Sequence, residues 1–334
     1  MGENFMRKFF IIVILAVIST ISLPLIMLGK PVFSNNTTQQ ITTTQPTETV
    51  NSNLSESTIS VFRTVDNRVH DITMFEYVCG SVAAEMPLAY HEEALKAQAV
   101  ACYTNALRQK NTASDSQGDI SDDSRVHQGY IDENQRREKW GKDFDKYETK
   151  LKNAVKCVEN QALYYNNELC VAAFYAISCG KTETAKNIWG THVPYLVSVE
   201  SEGDKLSPQY ASTVIFDKAD FISHVKKIYP DTKNLSSIEN SLTVTKKSPS
   251  GTVLKATLCG KNFTGEEIRK AFSLRSPVFN VKTTADTVTF NVSGYGHGVG
   301  MSQYGSDYLA RLGMNYKEIL LHYYSGAEVK STAF

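Results

Sequence analysis

One face of a predicted helix is marked by apolar residues at helical spacing: Phe75, Val78, Cys79, Val82 and Met86. Glu85 follows Val82 by three residues, so its carboxyl group falls on the same apolar face. Pro87 cannot continue the helix, and it biases the residue before it towards an extended backbone. The pattern therefore predicts that Glu85 lies at the C-terminal end of a buried helix, where a substrate can reach it.

The environment predicted for Glu85 favours the protonated form of its carboxyl group. Desolvation on an apolar face penalises the anion, so we expect a pKa above the ~4.3 of a free glutamate. A carboxylic acid whose pKa approaches ~6 can act as a general acid near neutral pH. The alternative is that Glu85 reaches water from the helix end, or pairs with a basic side chain. The segment by itself leaves both interpretations open.

Helical and alternating patterns follow one another along the chain and predict an α+β fold. Strands are expected over residues 60–65, 163–165 and 169–175, and helices over residues 92–110 and 132–159. Residues 212–274 contain a strand, a helix, a hairpin and a capping box at Thr264 and Glu267, and predict a smaller α+β subdomain that carries little chemistry. We expect mixed helices and antiparallel strands to form a catalytic core, with this subdomain inserted.

Glycine occupies every second position from residue 294 to residue 300, around His297. Glycine permits positive φ and lets the backbone pack closely against another surface. No Gly-Lys-Ser/Thr follows, so the loop is not a phosphate-binding loop. A histidine held between glycines on a loop favours a ligand-binding role over a purely structural one.

The N-terminal region contains an uncharged apolar run over residues 9–28, which is long enough to cross a bilayer as a helix. Basic residues precede the run, so residues 1–8 are predicted in the cytoplasm and the catalytic region outside it. A cleaved signal peptide is the alternative, but its apolar part usually has only about 7–15 residues. The pattern favours an uncleaved, single-pass membrane anchor.

Residues 29–58 are rich in Thr, Ser, Asn and Gln, and predict a disordered linker before a globular region over 59–334. Lys and Arg total 35, as do Asp and Glu, and no basic block indicates a nucleic-acid partner. The six cysteines include no CxxC pair, which excludes a zinc ribbon or a thioredoxin-type motif. Cys79 and Cys102 fall on apolar helix faces and are expected to be buried thiols.

Four segments resemble the SpoIID/LytB family: residues 81–87 (SVAAEMP), 93–101 (EALKAQAVA), 127–130 (HQGY) and 294–305 (GYGHGVGMSQYG). The resemblance covers nearly all of the chain after the linker. It implies a membrane-bound lytic transglycosylase, which cuts peptidoglycan between N-acetylmuramic acid and N-acetylglucosamine and leaves a 1,6-anhydro end. Relatives act on glycan strands whose stem peptides an amidase has removed, during engulfment of the forespore.

The resemblance also implies partners and a location. The expected partners are peptidoglycan glycan strands, an amidase similar to SpoIIP and a membrane scaffold protein similar to SpoIIM. The expected location is the mother-cell membrane, with the catalytic region facing the forespore.

The resemblance further implies site residues. The family's catalytic acid matches Glu85. The substrate-binding positions implied are Lys96, Gln128, Tyr175, Ser178, Thr182, Tyr195, His297 and Gln303. For Lys96, a surface pair with Glu92 at i,i+4 is the alternative to a position beside Glu85.

No cofactor is required by this resemblance, but a structural zinc is a candidate. Some members carry Cys at the positions of both His127 and Cys179, and a His–Cys pair suits zinc. The sequence shows no third ligand.

Three functions remain in competition. The first is the transglycosylase, in which the 6-hydroxyl of the sugar attacks and a single carboxyl group is enough. The second is a glycan-binding subunit that stimulates a peptidoglycan amidase without cutting. The third is a hydrolase with two carboxylates, in which Glu183 is the candidate for the second acid.

Overall fold

The structure is a computed structural model that describes residues 57–112, 118–123, 126–232 and 237–332. The predicted cytoplasmic segment, the anchor and the linker up to residue 56 lie outside the described residues. No helix within these described ranges is both long enough and apolar enough to cross a bilayer.

The described residues form a mixed α+β fold with largely antiparallel sheets. The α-helices are α1 Met74–Glu85, α2 Glu92–Thr112, α3 Glu133–Trp140, α4 Phe144–Cys157, α5 Ala185–Trp189, α6 Lys218–Ile228, α7 Gly265–Ala271, α8 Gln303–Arg311 and α9 Tyr316–Tyr323. The strands are β1 Thr58–Arg63, β2 Arg68–Thr73, β3 Ile120–Ser121, β4 Gln161–Tyr165, β5 Glu168–Leu169, β6 Phe174–Tyr175, β7 Ala211–Asp217, β8 Leu242–Lys247, β9 Val253–Leu258, β10 Lys261–Phe263, β11 Phe279–Thr283, β12 Thr287–Ser293, β13 Met301–Ser302 and β14 Glu328–Ser331.

The first hydrophobic core is organised around α1 and α2. Thr73 caps α1, because its side-chain oxygen accepts a hydrogen bond of 3.2 Å from the backbone N–H of Glu76. The predicted apolar face is buried, with Val78 and Val82 at most 1% exposed. α1 packs against α2 and α4, and the small side chains of α2 permit the close approach. The helix ends at Glu85, and Met86 is extended with φ −125° and ψ 139°, as Pro87 predicts.

Two local features differ from the predicted pattern. The charged stretch 132–159 is not one helix: α3 ends at Trp140, and Gly141 adopts φ 50° before a 3-10 turn and α4. β2 has no amphipathic signature because most of its side chains are exposed, yet it pairs along its whole length with β1. Backbone pairing with a neighbour, which no periodicity reveals, holds β2 in place.

A second hydrophobic cluster runs from Phe221 to Val292 and defines what we call the inserted unit, β7 to β12 with α6 and α7. Its two sheets have the strand orders β10-β9-β8 and β11-β12-β7. The helix predicted within residues 212–274 is α6, and the capping box of Thr264 with Glu267 is confirmed. The cluster continues past residue 274, because β11 and β12 complete the sheet that β7 begins.

The glycine-rich loop returns the chain from the inserted unit to the first core. Gly294, Gly296, Gly298 and Gly300 all have positive φ, between 77° and 117°. The loop ends in β13, which pairs in parallel with β6. This pairing places His297 beside the segment that contains Tyr175.

Candidate active site

A cavity of about 470 Å³ lies where the end of α1, the glycine-rich loop and the inserted unit meet. We call it the Glu85 cavity. It is lined by Glu85, Asn105, His127, Gln128, Ala172, Ala173, Phe174, Tyr175, Ala176, Arg269, Tyr295, Gly296 and His297. Four residues that the family resemblance implies as the acid or as substrate contacts therefore line the same cavity: Glu85, Gln128, Tyr175 and His297.

The carboxyl group of Glu85 is partly buried, and desolvation raises its pKa above the ordinary value for glutamate. A hydrogen bond of 2.6 Å from the backbone N–H of Gly129 to Oε1, and the charge of Lys139, oppose this rise. Lys139 donates its own hydrogen bond, of 2.8 Å, to the carbonyl of Ala83. The predicted direction of the pKa shift is confirmed.

The segment that carries Gly129 is itself held in position. The side-chain amide of Gln128 donates to the hydroxyl of Tyr77 at 3.1 Å and to the carbonyl of Cys102 at 3.0 Å. A Cβ atom at position 129 would lie 3.1 Å from Oε1 of Glu85, so glycine allows the backbone N–H to approach the carboxyl group closely. Gln128 thus orients the donor of the Glu85 hydrogen bond as well as lining the cavity.

His297 presents a neutral imidazole to the cavity. Burial, and to a lesser extent the charge of Arg269, lower the pKa of His297 to about 4. A hydrogen bond with the backbone of Phe174 acts in the opposite direction and raises the pKa. Its Nδ1 accepts from the backbone N–H of Val299 at 3.1 Å, which orients the ring. The ring centroid lies 5.5 Å from that of Tyr175. His297 is therefore a polar contact at neutral pH rather than a cation.

Three lining residues with polar side chains were not among the predicted site residues. The side-chain amide of Asn105 donates to the carbonyl of Ala172 at 3.0 Å and accepts from the backbone N–H of Ala172 at 3.1 Å. Asn105 thereby joins α2 to the cavity wall. Tyr295, within the glycine-rich loop, is 42% exposed. Arg269 comes from α7, so the inserted unit, predicted to carry little chemistry, contributes a charged side chain to the cavity wall. No local pattern marks Arg269, because α7 is brought to the cavity by the packing of the whole unit.

Lys96 and Gln303, predicted to bind substrate, are not among the residues that line the Glu85 cavity. Lys96 forms ion pairs of 3.0 Å with Glu92 and 2.8 Å with Glu93, the surface pairing that was its alternative. Gln303 is buried, and its side chain donates to Gln98 at 3.4 Å. Lys96 is thus held by neighbours on the helix surface, and Gln303 by a neighbour in the core.

Ser178, Thr182 and Tyr195 are also absent from the Glu85 cavity. The Ser178 hydroxyl accepts from the backbone N–H of Gly180 at 3.1 Å. Thr182 is fully buried and bonded to the backbone of Val197 and Val199. The Tyr195 hydroxyl accepts from the backbone N–H of Val171 at 2.7 Å, and its ring packs on Tyr165. These side chains satisfy backbone groups of the irregular segments that surround β6, which explains their burial.

His127 and Cys179, the candidate zinc ligands, each form hydrogen bonds with separate backbone groups. Nδ1 of His127 accepts from the backbone N–H of Ser121 at 3.1 Å, whereas the Cys179 thiol donates to the carbonyls of Lys181 and Ser250. Burial raises the pKa of Cys179, which disfavours the thiolate that zinc requires. Within the described ranges, no group of three or more His, Cys, Asp or Glu side chains could hold a metal ion. His127 instead lines the Glu85 cavity.

Comparison with known proteins places these features in a family. A family model described as SpoIID, stage II sporulation protein, matches residues 64–165, which contain Glu85 and Gly129. Stage II sporulation protein D of Bacillus amyloliquefaciens is 37% identical over 281 residues, which are 83% of this chain and 80% of the relative. The chain belongs to the stage II sporulation protein D family. The corresponding protein of Bacillus subtilis (strain 168) is also 37% identical, over 82% of this chain and 79% of the relative.

A more distant relative of this family member carries a different name. The amidase enhancer of Bacillus subtilis (strain 168) is 26% identical over 302 residues, which are 75% of this chain and 40% of that protein. Membership of the family identifies a sporulation protein, and the geometry of the cavity bears on its chemistry.

Proposed function

We propose that this protein is a lytic transglycosylase that cleaves the bond between N-acetylmuramic acid and N-acetylglucosamine in peptide-stripped peptidoglycan strands. One observation carries the proposal: a single carboxyl group with a raised pKa, Glu85, lines a cavity at the junction of the two hydrophobic clusters. A carboxyl group of this kind is protonated over a wider pH range than a free glutamate and can protonate a glycosidic oxygen.

The number of carboxylates favours a transglycosylase over a hydrolase. Hydrolases of the common kind place two carboxyl groups about 5–9.5 Å apart across the scissile bond. Among the described lining residues, Glu85 carries the only carboxyl group. Glu183, the candidate second acid, is 2% exposed and accepts hydrogen bonds from Asn187 at 2.8 Å and from Ser248 at 2.5 Å. Those hydrogen bonds also lower the pKa of Glu183 against its desolvation, so it is a structural anion.

The two oxygens of Glu85 have different roles in this mechanism. Oε1 accepts from the backbone N–H of Gly129, so the proton belongs on Oε2. Oε2 donates its proton to the bridging oxygen as the glycosidic bond breaks. The carboxylate then takes the proton of the 6-hydroxyl, which attacks C1 of the same sugar and closes the 1,6-anhydro ring. The intramolecular nucleophile replaces water, and its proximity lowers the entropic cost of attack.

Aromatic side chains near Glu85 suit a glycan. Several large apolar side chains are exposed in the described part of the chain, and two of them are aromatic: Trp189 is 43% exposed and Tyr295 is 42% exposed. The Trp189 ring centroid lies 5.7 Å from that of His297. Exposed aromatic rings next to polar groups offer apolar faces to the C–H surfaces of sugars. Together with Asn105, they supply contacts for a strand that passes over Glu85.

The test is incubation of the purified full-length protein with peptide-stripped glycan strands, followed by mass spectrometry of the products. Ends that lack one water, as 1,6-anhydro sugars do, support the proposal. Reducing ends would indicate a hydrolase, and bound but uncut strands would indicate the second candidate.

The second candidate is a glycan-binding subunit that stimulates a peptidoglycan amidase without cutting. It is favoured by the similarity to a protein named amidase enhancer. Amidase release of peptides, measured with and without Glu85→Gln protein, separates the two candidates. Stimulation that survives this substitution, with no anhydro ends from the unsubstituted protein, would favour the second.

For the cellular setting, we propose action in forespore engulfment from the mother-cell membrane, together with a SpoIIP-like amidase and a SpoIIM-like scaffold. Support comes from the names of the sporulation relatives and from the apolar run at residues 9–28. Protease treatment of intact protoplasts tests the orientation. Digestion of the catalytic region from outside agrees with it, and full protection contradicts it.

A further inference from the structure

Arg269 brings a cationic side chain from the inserted unit into the wall of the Glu85 cavity. Its side chain is 23% exposed, and Nη1 donates to Glu266 Oε1 at 2.9 Å. The neighbouring Nε is buried and finds no hydrogen-bond acceptor among the described residues. An arginine has five N–H donors in a planar fork, so the ion pair with Glu266 leaves most of them for another acceptor.

The charge of the lining makes Arg269 unusual. Desolvation raises the pKa of Glu85 and lowers the pKa values of His127 and His297, so all three are shifted towards neutral forms. Among the described lining residues, Arg269 is the one arginine or lysine. Glu266, its partner, lies outside the lining and is also approached by Lys270 at 4.0 Å. The cavity is thus suited to an anion.

The proposed substrate contains one kind of anion within its saccharide backbone. N-acetylglucosamine is uncharged, whereas N-acetylmuramic acid carries a lactyl carboxyl group on its 3-oxygen. In intact peptidoglycan the stem peptide is joined to that carboxyl group by an amide, which removes its charge. Removal of the peptide exposes a carboxylate directly beside the sugar ring.

We propose that Arg269 binds the lactyl carboxylate of a peptide-free muramyl residue and so selects stripped glycan strands. The assignment rests on the proposed function, because it takes peptidoglycan as the ligand. Arginine–carboxylate hydrogen bonds are charge-assisted, and the fork geometry rewards a planar acceptor. An amide at the same position offers no negative charge and adds bulk. Arg269 is then a specificity-determining residue that is separate from the acid Glu85.

The test compares three preparations of the same glycan strands with purified full-length protein. The first has free lactyl carboxylates, the second has them converted to neutral methylamides, and the third retains its stem peptides. Dissociation constants and kcat/KM values are measured separately for each. We expect the free carboxylates to be preferred by roughly tenfold to a hundredfold, the range of one or two charge-assisted hydrogen bonds.

The variants are Arg269→Gln, Arg269→Lys and, as a matched control, Lys270→Gln. Lys270 lies on the same helix with 76% of its side chain exposed, and its loss removes one positive charge without touching the lining. Arg269→Gln should reduce the preference to near one by weakening only the reaction with free carboxylates. Arg269→Lys should keep part of the preference, and Lys270→Gln should keep all of it. Melting temperatures show that each variant is folded.

Several outcomes would overturn the assignment. A wild-type preference near one would do so without any variant, and so would an Arg269→Gln protein that loses activity equally on all three preparations. Preference for peptide-bearing strands over both stripped strands and methylamides would place the recognised carboxylate on the peptide and not on the lactyl group. If no preparation yields anhydro ends, the transglycosylase proposal fails, but the ratio of dissociation constants still tests Arg269.

Discussion

The substitution Gly129→Ala tests the hydrogen bond that orients the proposed acid. The backbone N–H of Gly129 donates to Oε1 of Glu85 at 2.6 Å, and a Cβ at this position would lie 3.1 Å from the same oxygen and 3.2 Å from Cβ of Ala84. Both contacts are tighter than ordinary van der Waals contacts, so the carboxyl group and the backbone must separate by a few tenths of an ångström. The added methyl group therefore weakens the hydrogen bond without introducing any charge.

The magnitude follows from the charge that develops on Glu85. As its proton leaves, the carboxylate becomes negative, and a hydrogen bond to a charged group stabilises it by about 1.5–3 kcal/mol. Losing roughly half of this raises the barrier by about 0.8–1.5 kcal/mol, or about 4- to 12-fold in rate. The same loss destabilises the anion of the free enzyme and raises the pKa of Glu85. The alkaline limb of the pH–rate profile should therefore move to higher pH while the maximal rate falls.

The assay is the rate of anhydro-end formation from stripped strands as a function of pH. Introducing Ala84→Gly into the Gly129→Ala protein removes the contact with Cβ of Ala84 and keeps the contact with Oε1 of Glu85. This control should leave the displacement of the alkaline limb unchanged. A reduced rate with an unmoved alkaline limb, or with a limb displaced to lower pH, would refute the role assigned to the Gly129 hydrogen bond.

Three further predictions concern single side chains. Glu85→Gln should lower the rate of cleavage by about 10²- to 10⁴-fold, the usual contribution of a general acid, while strand binding measured by sedimentation persists. Trp189→Ala should weaken strand binding about 2- to 12-fold, because an aromatic contact contributes about 0.5–1.5 kcal/mol, and the dissociation constant checks this. Arg136→Met should destabilise the protein by about 3–5 kcal/mol in urea unfolding, because Arg136 is fully buried and pairs with Glu76 at 2.8 Å and Glu148 at 2.9 Å. Its removal leaves Glu148 with only the ion pair to Lys152 and takes the arginine partner from Glu76.

Each of these predictions has a contrary result. Glu85→Gln protein that still forms anhydro ends at the normal rate would remove Glu85 from the mechanism. Unchanged binding by Trp189→Ala protein would show that the strand does not pass Trp189. An Arg136→Met variant as stable as the parent would mean that apolar packing compensates for the lost ion pairs, and Arg137→Met is the exposed control, with side-chain exposure of 58%.

Local sequence patterns anticipated much of the helical structure because the relevant forces act over a few residues. The apolar spacing of α1, the effect of Pro87 on Met86 and the capping box at Thr264 each involve neighbours in the chain. β2, whose side chains are mostly exposed, was missed because only its partner β1 defines it.

For the site, the sequence by itself singled out Glu85 and His297, because an acid on an apolar face and a histidine between glycines are visible without any partner. It left open whether Lys96 pairs with Glu92 at i,i+4, and it did not show that Arg269 lines the same cavity as Glu85. The position of Arg269 depends on contacts between residues far apart in the chain, because packing of the inserted unit decides which of its side chains face the cavity. The chemistry of the acid was thus local information, whereas its surroundings, and the charge offered to a substrate, were decided only by the tertiary structure.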